Sequence, residues 1–374
     1  MSAKGPRLDT PEIPRAEIVG SLLRSSAVRD ARRRLAAGEI STSDARAVED
    51  AAVVDAIALQ ERTGIDVVAD GELRRDSWVP TVHALRGFEM VLGGPGWQWR
   101  GSDRAAEHSK RPYPAVVQKI SVAYDLATEE FAFLHEHARH RTKYCLPAPS
   151  FHRTFWDPEH STGAYPTAED FLVEVRDYLR SLARDLVDLG CDYLQLDAPN
   201  YGFICDPAFR EEMTSTGRDL AADVRFDAEL DSSVFDGFDG VTRAIHLCRG
   251  NSAGMWAASG GYEAIAGELF PALRVDRLLL EYDTPRSGDF GALEHAPDDV
   301  AVVLGLLTTK DGALEDAAAV EARIHEAAAY VPIERLAVSP QCGFASVASG
   351  NPLSEDQQEA KLALVGAVAR RVWG

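Results

Sequence analysis

The chain has 374 residues, is 45% hydrophobic and 26% charged, and carries a formal net charge of −20. Such a composition suits a globular chain with a full core, and no stretch approaches the roughly 20 apolar residues of a membrane span. Its acidity argues against nucleic acid or anionic membrane as a partner, because both need clustered Lys and Arg.

Residues 1–15 read as a polar, proline-punctuated tail with no apolar run behind its first charges, so secretion is not expected. Residues 16–374 read as one folding unit. Residues 16–21 are a first short strand ending in a small-residue turn. Two helical stretches follow, the second from Asp44 to about Arg62, preceded by Ser41-Thr42-Ser43 and stopping before Gly64. Residues 65–69 are the second strand, running straight into Asp70-Gly71-Glu72. From Trp78 to about Val122 the helical period breaks at Gly93-Gly94-Pro95-Gly96 and Trp97-Gln98-Trp99. This is an excursion containing a hairpin, with residues 115–122 as one of its strands. A helix over about 127–141 comes next.

Strand and helix then alternate regularly. Further strands are expected at 143–147, 192–197, 242–248, 277–281, 301–305 and 336–339, with helices near 168–189, 260–269, 315–329 and 355–372. Eight apolar strands alternating with amphipathic helices predict an α/β chain folded as a closed (β/α)₈ TIM barrel, an open doubly wound sheet being the other arrangement. In such a barrel, polar residues at strand C-termini converge on one face. Ser21, Glu72, Asp197, His246, Cys248, Glu281 and Cys342 all fall at such ends.

Taken singly, a histidine or cysteine at a strand end is more often a packed core residue. The set is another matter. His246 and Cys248 are one residue apart and share a face of an extended strand. With Glu281 and Cys342 they offer one imidazole, two thiolates and one carboxylate, a donor set for Zn²⁺, which binds at about 2.0–2.3 Å. The donors are spread from position 246 to position 342 instead of forming tight knuckles, which suits a catalytic ion held by a preformed scaffold. So anionic a set weakens activation of bound water and leaves an incoming thiolate electron-rich. The expected chemistry is alkyl transfer to sulfur.

Glu72 and Asp197 are either acceptors for the ammonium of an amino-acid thiol, or loop caps and salt-bridge partners of Arg74 or Arg75. Ser21 is either a donor to a substrate carboxylate or part of a plain turn. Arg249 and Arg286 are anion binders or charge-balancing neighbours of the acidic site. The histidines of His135-Glu136-His137-Ala138-Arg139-His140 do not share one helix face and read as a solvated helix end. Cys145, Cys191 and Cys205 read as packing residues. Five widely spread cysteines suit a reducing cytoplasm better than a disulfide framework.

Residues 19–21, 70–76, 195–197, 246–251, 281–286 and 339–344 together resemble the C-terminal catalytic barrel of the cobalamin-independent methionine synthases. The resemblance runs from about residue 16 to 374. It implies a (β/α)₈ fold, zinc on His246, Cys248, Glu281 and Cys342, and a homocysteine-like thiol held by Ser21, Glu72 and Asp197. It also implies methyl transfer in methionine biosynthesis, the family's donor being a methyltetrahydrofolate polyglutamate. The chain is similar as well to the short single-barrel branch that includes epoxyalkane:coenzyme M transferases, without the N-terminal duplicate that helps bind folate. Two stretches depart from the methionine synthases. The strand-four Asp is followed by Ala198-Pro199 instead of Glu-Pro, and Thr308-Thr309-Lys310-Asp311 stands where a histidine after strand seven assists transfer. The expected function is zinc-dependent methyl transfer to homocysteine. The alternatives are thiol alkylation by another electrophile, such as an epoxide, and a non-catalytic zinc-binding scaffold barrel. The carbon donor and the oligomeric state stay open.

Overall fold

The structure, a computed structural model, describes residues 13–92, 98–103, 105, 111–125, 127–215 and 217–374. Its strands are β1 Val67–Val68, β2 Leu85–Val91, β3 Tyr113–Val122, β4 Arg141–Thr142, β5 Tyr144–Pro147, β6 Tyr193–Asp197, β7 Thr242–Leu247, β8 Arg277–Glu281, β9 Ala301–Leu307 and β10 Leu336–Pro340. Strands β5 to β10 form one six-stranded parallel sheet in the order β10-β9-β8-β7-β6-β5. Every residue of β5, β6, β8 and β10 is buried. That burial is the reason these segments read as continuous apolar runs instead of alternating ones.

Short ladders extend the sheet at its edges. Parallel β1 and β4 pair, and Lys143, which joins β4 to β5, donates its N–H to the Val68 carbonyl at 3.0 Å. The expected first strand makes isolated bridges on both sides, Ala16 to Val338 and Glu17 to Val67. It is held by Glu17 N–H to Val338 O at 3.1 Å and Asp66 N–H to Ala16 O at 2.9 Å. Registers align Pro147 with Asp197, Asp197 with His246, Glu281 with Gly305 and Leu307 with Pro340. The strand C-termini therefore lie level along one rim.

The helices start where their caps dictate. Ser41 and Asp44 form a reciprocal capping box at the head of Thr42–Thr63, and Gly64 ends it with φ +84°; glycine is favoured there because a Cβ clashes in the left-handed region. Similar boxes, Thr167 with Asp170 and Ser354 with Gln357, open Ala168–Asp188 and Glu355–Trp373. The helix expected over 127–141 stops at His137. The Glu61 carboxylate takes the backbone N–H groups of Arg139 and His140, which turns the chain toward β4. The helix expected near 260–269 is a 3₁₀ turn at Tyr262–Ala264 followed by Ala266–Ala272.

The excursion contains an antiparallel hairpin of β2 and β3, whose register shifts at Gly87. Phe88 packs edge-on against Phe155 and Phe171, placing the hairpin outside the main sheet. The glycine-proline stretch at 93–96 lies outside the described residues. Buried Val67, Tyr193, Ala244, Leu279, Val303 and Ala337, one from each of β1 and β6 to β10, form a cluster separate from the main core. Among the described residues no helix is long and apolar enough to cross a membrane.

Candidate metal centre and substrate pocket

His246 lies on β7 with Cys248 just past its end, and Cys342 follows β10. Their ligand atoms all lie within 4.8 Å of one another, and all three residues are buried. Nδ1 of His246 faces the Leu279 carbonyl at 3.2 Å, so that nitrogen carries the proton, while the buried Nε2 has no hydrogen-bond partner. A buried nitrogen left as a bare lone pair beside two thiols is the arrangement a soft divalent ion completes. The donor set fits zinc.

The two thiols share a proton unequally. Hydrogen bonding from Cys248 holds the Cys342 thiol well below its ordinary range, and the same bond pushes Cys248 up. Burial pulls the His246 imidazole down, and the neighbouring Cys342, Asp197 and Glu281 more than reverse it.

Glu281 ends β8 and is fully buried, but it is not part of that three-donor cluster. Its Oε2 accepts the Arg249 N–H at 2.8 Å, and its Oε1 accepts from Lys310 Nζ at 3.2 Å and also pairs with Arg286. Burial alone would raise this carboxyl; Lys310, Arg286 and Arg249 outweigh it and hold it below the usual carboxylate range. Arg249 is no free anion binder. It is fully buried, bonds the carbonyls of Gly260, Glu281 and Ser287, and stacks on Tyr262 at 4.2 Å. Arg286 likewise serves Glu281, Asp283 and the Ala258 carbonyl.

A second group of acidic side chains lies along the rim. Glu72, Cys145 and Asp197 bring their polar atoms within 4.8 Å of one another. Glu72 and Gly71 both adopt left-handed backbone, φ +55° and +71°, and the Asp70 carboxylate caps the turn by accepting the Glu72 N–H at 3.0 Å. A non-glycine residue held at positive φ is strained, and such strain persists where surrounding structure enforces it. Here Arg24, buried to 1% exposure, bonds the Glu72 and Arg75 carbonyls at 2.8 Å each and the Ala345 carbonyl at 2.5 Å. The neighbouring cations are engaged elsewhere, Arg74 with Asp50 and Arg75 with Glu130. Burial pushes the Glu72 carboxyl up to about 8, with Asp197 and Asp70 adding to it and Arg75 opposing. Burial also pushes Asp197 up to about 6 against the pull of His246. Ser21 closes the arc. Its carbonyl accepts the Phe344 N–H at 2.8 Å and its hydroxyl the Ala345 N–H at 3.4 Å, tying it to the loop that carries Cys342.

One cavity of about 1370 Å³ is lined by Ser21, Glu72, Asp197, His246, Cys248 and Cys342 together. Its outer wall is aromatic, with Trp78, Trp99, Phe151, Phe155 and Phe203, and Lys310 also lines it.

Residues 14–353 match the family model described as cobalamin-independent synthase, catalytic domain. The chain belongs to the cobalamin-independent methionine synthase family. It is 37% identical over 363 residues to YxjH of Bacillus subtilis, an alignment covering 96% of this chain and 94% of that protein. To a methionine synthase of Saccharolobus solfataricus it is 22% identical over 329 residues, 87% of each chain. The structure of a B12-independent methionine synthase from Shewanella, in complex with selenomethionine, superposes with a TM-score of 0.72 at 20% identity, covering 96% of this chain and 98% of that one. The fold of this family is thus the fold found here.

Three participants escaped the sequence reading. Cys145 is buried like a packing residue, and its thiol also borders both rim carboxylates while donating to the Val19 carbonyl at 3.1 Å. Lys310 lies after β9, and only its contacts with Glu281 and Asp283, from the end of β8, mark it. Arg24 carries no local signal at all, because what marks it is three carbonyls from two separate loops.

Proposed function

We propose that this chain is a zinc-dependent methyltransferase that binds homocysteine, or a close amino-acid thiol, and methylates its sulfur. The observation that carries the reading is the joint one: two thiols beside a bare imidazole nitrogen, in the same cavity as two buried carboxylates. His246, Cys248 and Cys342 would hold the metal, and Glu281 at the end of β8, bonded here to Arg249, Lys310 and Arg286, would complete the set by giving up one of those contacts. Zinc bound there keeps a thiol ionised at neutral pH, making it nucleophilic.

The protein's own groups do the rest. The Leu279 carbonyl fixes the His246 tautomer, so Nε2 stays available to the metal. Glu72 and Asp197 accept the ammonium of the amino acid, and a cation placed between them favours the ionised form of both. Ser21 offers its hydroxyl to the substrate carboxylate. Ligand pockets commonly run 300–1,000 Å³, and this cavity of about 1370 Å³ leaves room for the methyl donor beside the thiol under the aromatic wall. A non-catalytic scaffold would have no use for that space. The short ladders through residues 16–17 and 67–68 and the separate interior cluster support a closed (β/α)₈ barrel, and five unpaired cysteines support a cytoplasmic setting.

The test pairs metal analysis with turnover. Purified protein is incubated with homocysteine and either a methylfolate or a simpler methyl donor, and methionine is measured. Zinc near one per chain and methionine formation are expected for the wild type. Cys342→Ser is expected to lose most of the zinc and at least about 100-fold of the activity, because a neutral hydroxyl replaces a thiolate ligand. Zinc content and thiol alkylation that survive this change would overturn the reading.

A further inference from the structure

Below the rim, the interior holds charges that the proposed chemistry does not use. Lys143, between β4 and β5, is fully buried. All three of its N–H directions are taken: Nζ donates to Gln195 Oε1 at 2.8 Å, lies 3.4 Å from Glu17 Oε2, and bonds the Ile18 carbonyl. Glu17 is completed by Arg277 at 2.6 Å and the Tyr193 hydroxyl at 2.7 Å. With Asp197 the interior carries two cations and two anions, so its charge is balanced as buried ions require.

The consequence runs upward through Gln195. An ammonium can only donate, so Lys143 fixes which end of the Gln195 amide is oxygen. Nε2 is thereby committed as donor, to Asp197 Oδ1 at 2.7 Å and to the Val19 carbonyl at 2.9 Å. One carboxylate oxygen of Asp197 is pinned, and the residue lines the cavity. The carbonyls of Ile18 and Val19, held by Lys143 and Gln195, belong to the segment leading into Gly20-Ser21. One interior lysine thus sets the orientation of Asp197 from beneath.

We propose that Lys143 is a positioning residue for the ammonium of the substrate, acting through Gln195 on Asp197. The inference rests on the amino-acid thiol reading above. It predicts that the interior lysine governs recognition of the ammonium and not the metal or the thiol.

The experiment compares binding of homocysteine and of its desamino analogue γ-mercaptobutyrate to zinc-loaded wild type, Lys143→Met and Gln195→Leu, by calorimetry. The wild type is expected to prefer homocysteine. Both variants are expected to retain zinc and bind the analogue unchanged while losing about tenfold or more of that preference, the loss of one hydrogen bond to a charged group. A purely structural role would weaken both thiols alike. Preference retained in both variants, or equal weakening of the two thiols, overturns the inference while leaving the function standing. Should Lys143→Met not fold, Gln195→Leu decides alone, since it cuts the same link and leaves Lys143 bonded to Glu17 and Ile18. A wild type that binds neither thiol overturns the proposed function, and this inference with it.

Discussion

Gly20→Ala tests the role of Glu72 without touching Glu72. Gly20 has no positive φ, so alanine fits its backbone. The new methyl carbon would lie 2.6 Å from Glu72 Oε1 and 3.2 Å from the Cys145 sulfur. Ordinary contact for such a carbon begins near 3.4 Å, so the carboxylate must retreat by about 1 Å. Retreat is confined, because Glu72 sits on a strained turn clamped by Arg24 and its side chain is buried. A misplacement of that size costs up to about 100-fold in binding or rate at a positioned site, and overpacking costs about 1–3 kcal/mol of stability. The assay is calorimetric titration of homocysteine into zinc-loaded protein, with zinc content and thermal unfolding measured alongside. Homocysteine affinity should fall at least about tenfold while zinc stays near one per chain. Unchanged homocysteine affinity in a folded, zinc-replete Gly20→Ala protein would refute the assignment of Glu72 to the substrate ammonium.

Two further predictions concern the frame around the site. Asp231 is a buried carboxylate that accepts from the Ser150 hydroxyl at 2.6 Å, the Ser150 N–H at 2.9 Å and the Tyr201 hydroxyl at 2.7 Å, tying the loops after β5 and β6. Burial pushes its carboxyl up to about 7 even so. The native state therefore binds this proton more tightly than the unfolded one. Its contribution to stability is present at low pH and is lost as pH rises through about 7, by at most about 1.4 kcal/mol per pH unit. Asp231→Asn, permanently neutral, should gain on the wild type in unfolding temperature between pH 5 and pH 8; a gap that does not narrow would contradict this. Arg24→Met strands the carbonyls of Glu72, Arg75 and Ala345 and should cost about 3 kcal/mol in denaturant unfolding. A loss below about 1 kcal/mol would show that the clamp is dispensable.

How much was legible in the sequence can be judged residue by residue. The segments of β6 to β10 were placed within a residue or two, because buried parallel strands carry uninterrupted apolar runs. The His246-Leu247-Cys248 spacing announced a shared donor face for the same local reason. The helix end at His137 was misplaced because it is set by Glu61, which lies on another helix. The fate of Arg74 and Arg75 was also unreadable, since Asp50 and Glu130 lie on other elements and nothing local favours them over Glu72.

By itself the sequence determined the strand-helix alternation, the level at which each polar residue leaves its strand, and the identity of the donors. These follow from periodicities of two and 3.6 residues and from side-chain chemistry, which are local properties. Only the tertiary structure decided which donors meet. It brought His246, Cys248 and Cys342 within 4.8 Å of one another, surrounded Glu281 with Lys310, Arg286 and Arg249, and set Cys145 beside Glu72 and Asp197. The physical reason is that proximity across the rim depends on register between strands far apart in the chain. Burial then sets the charge state of each group by what else it is packed against.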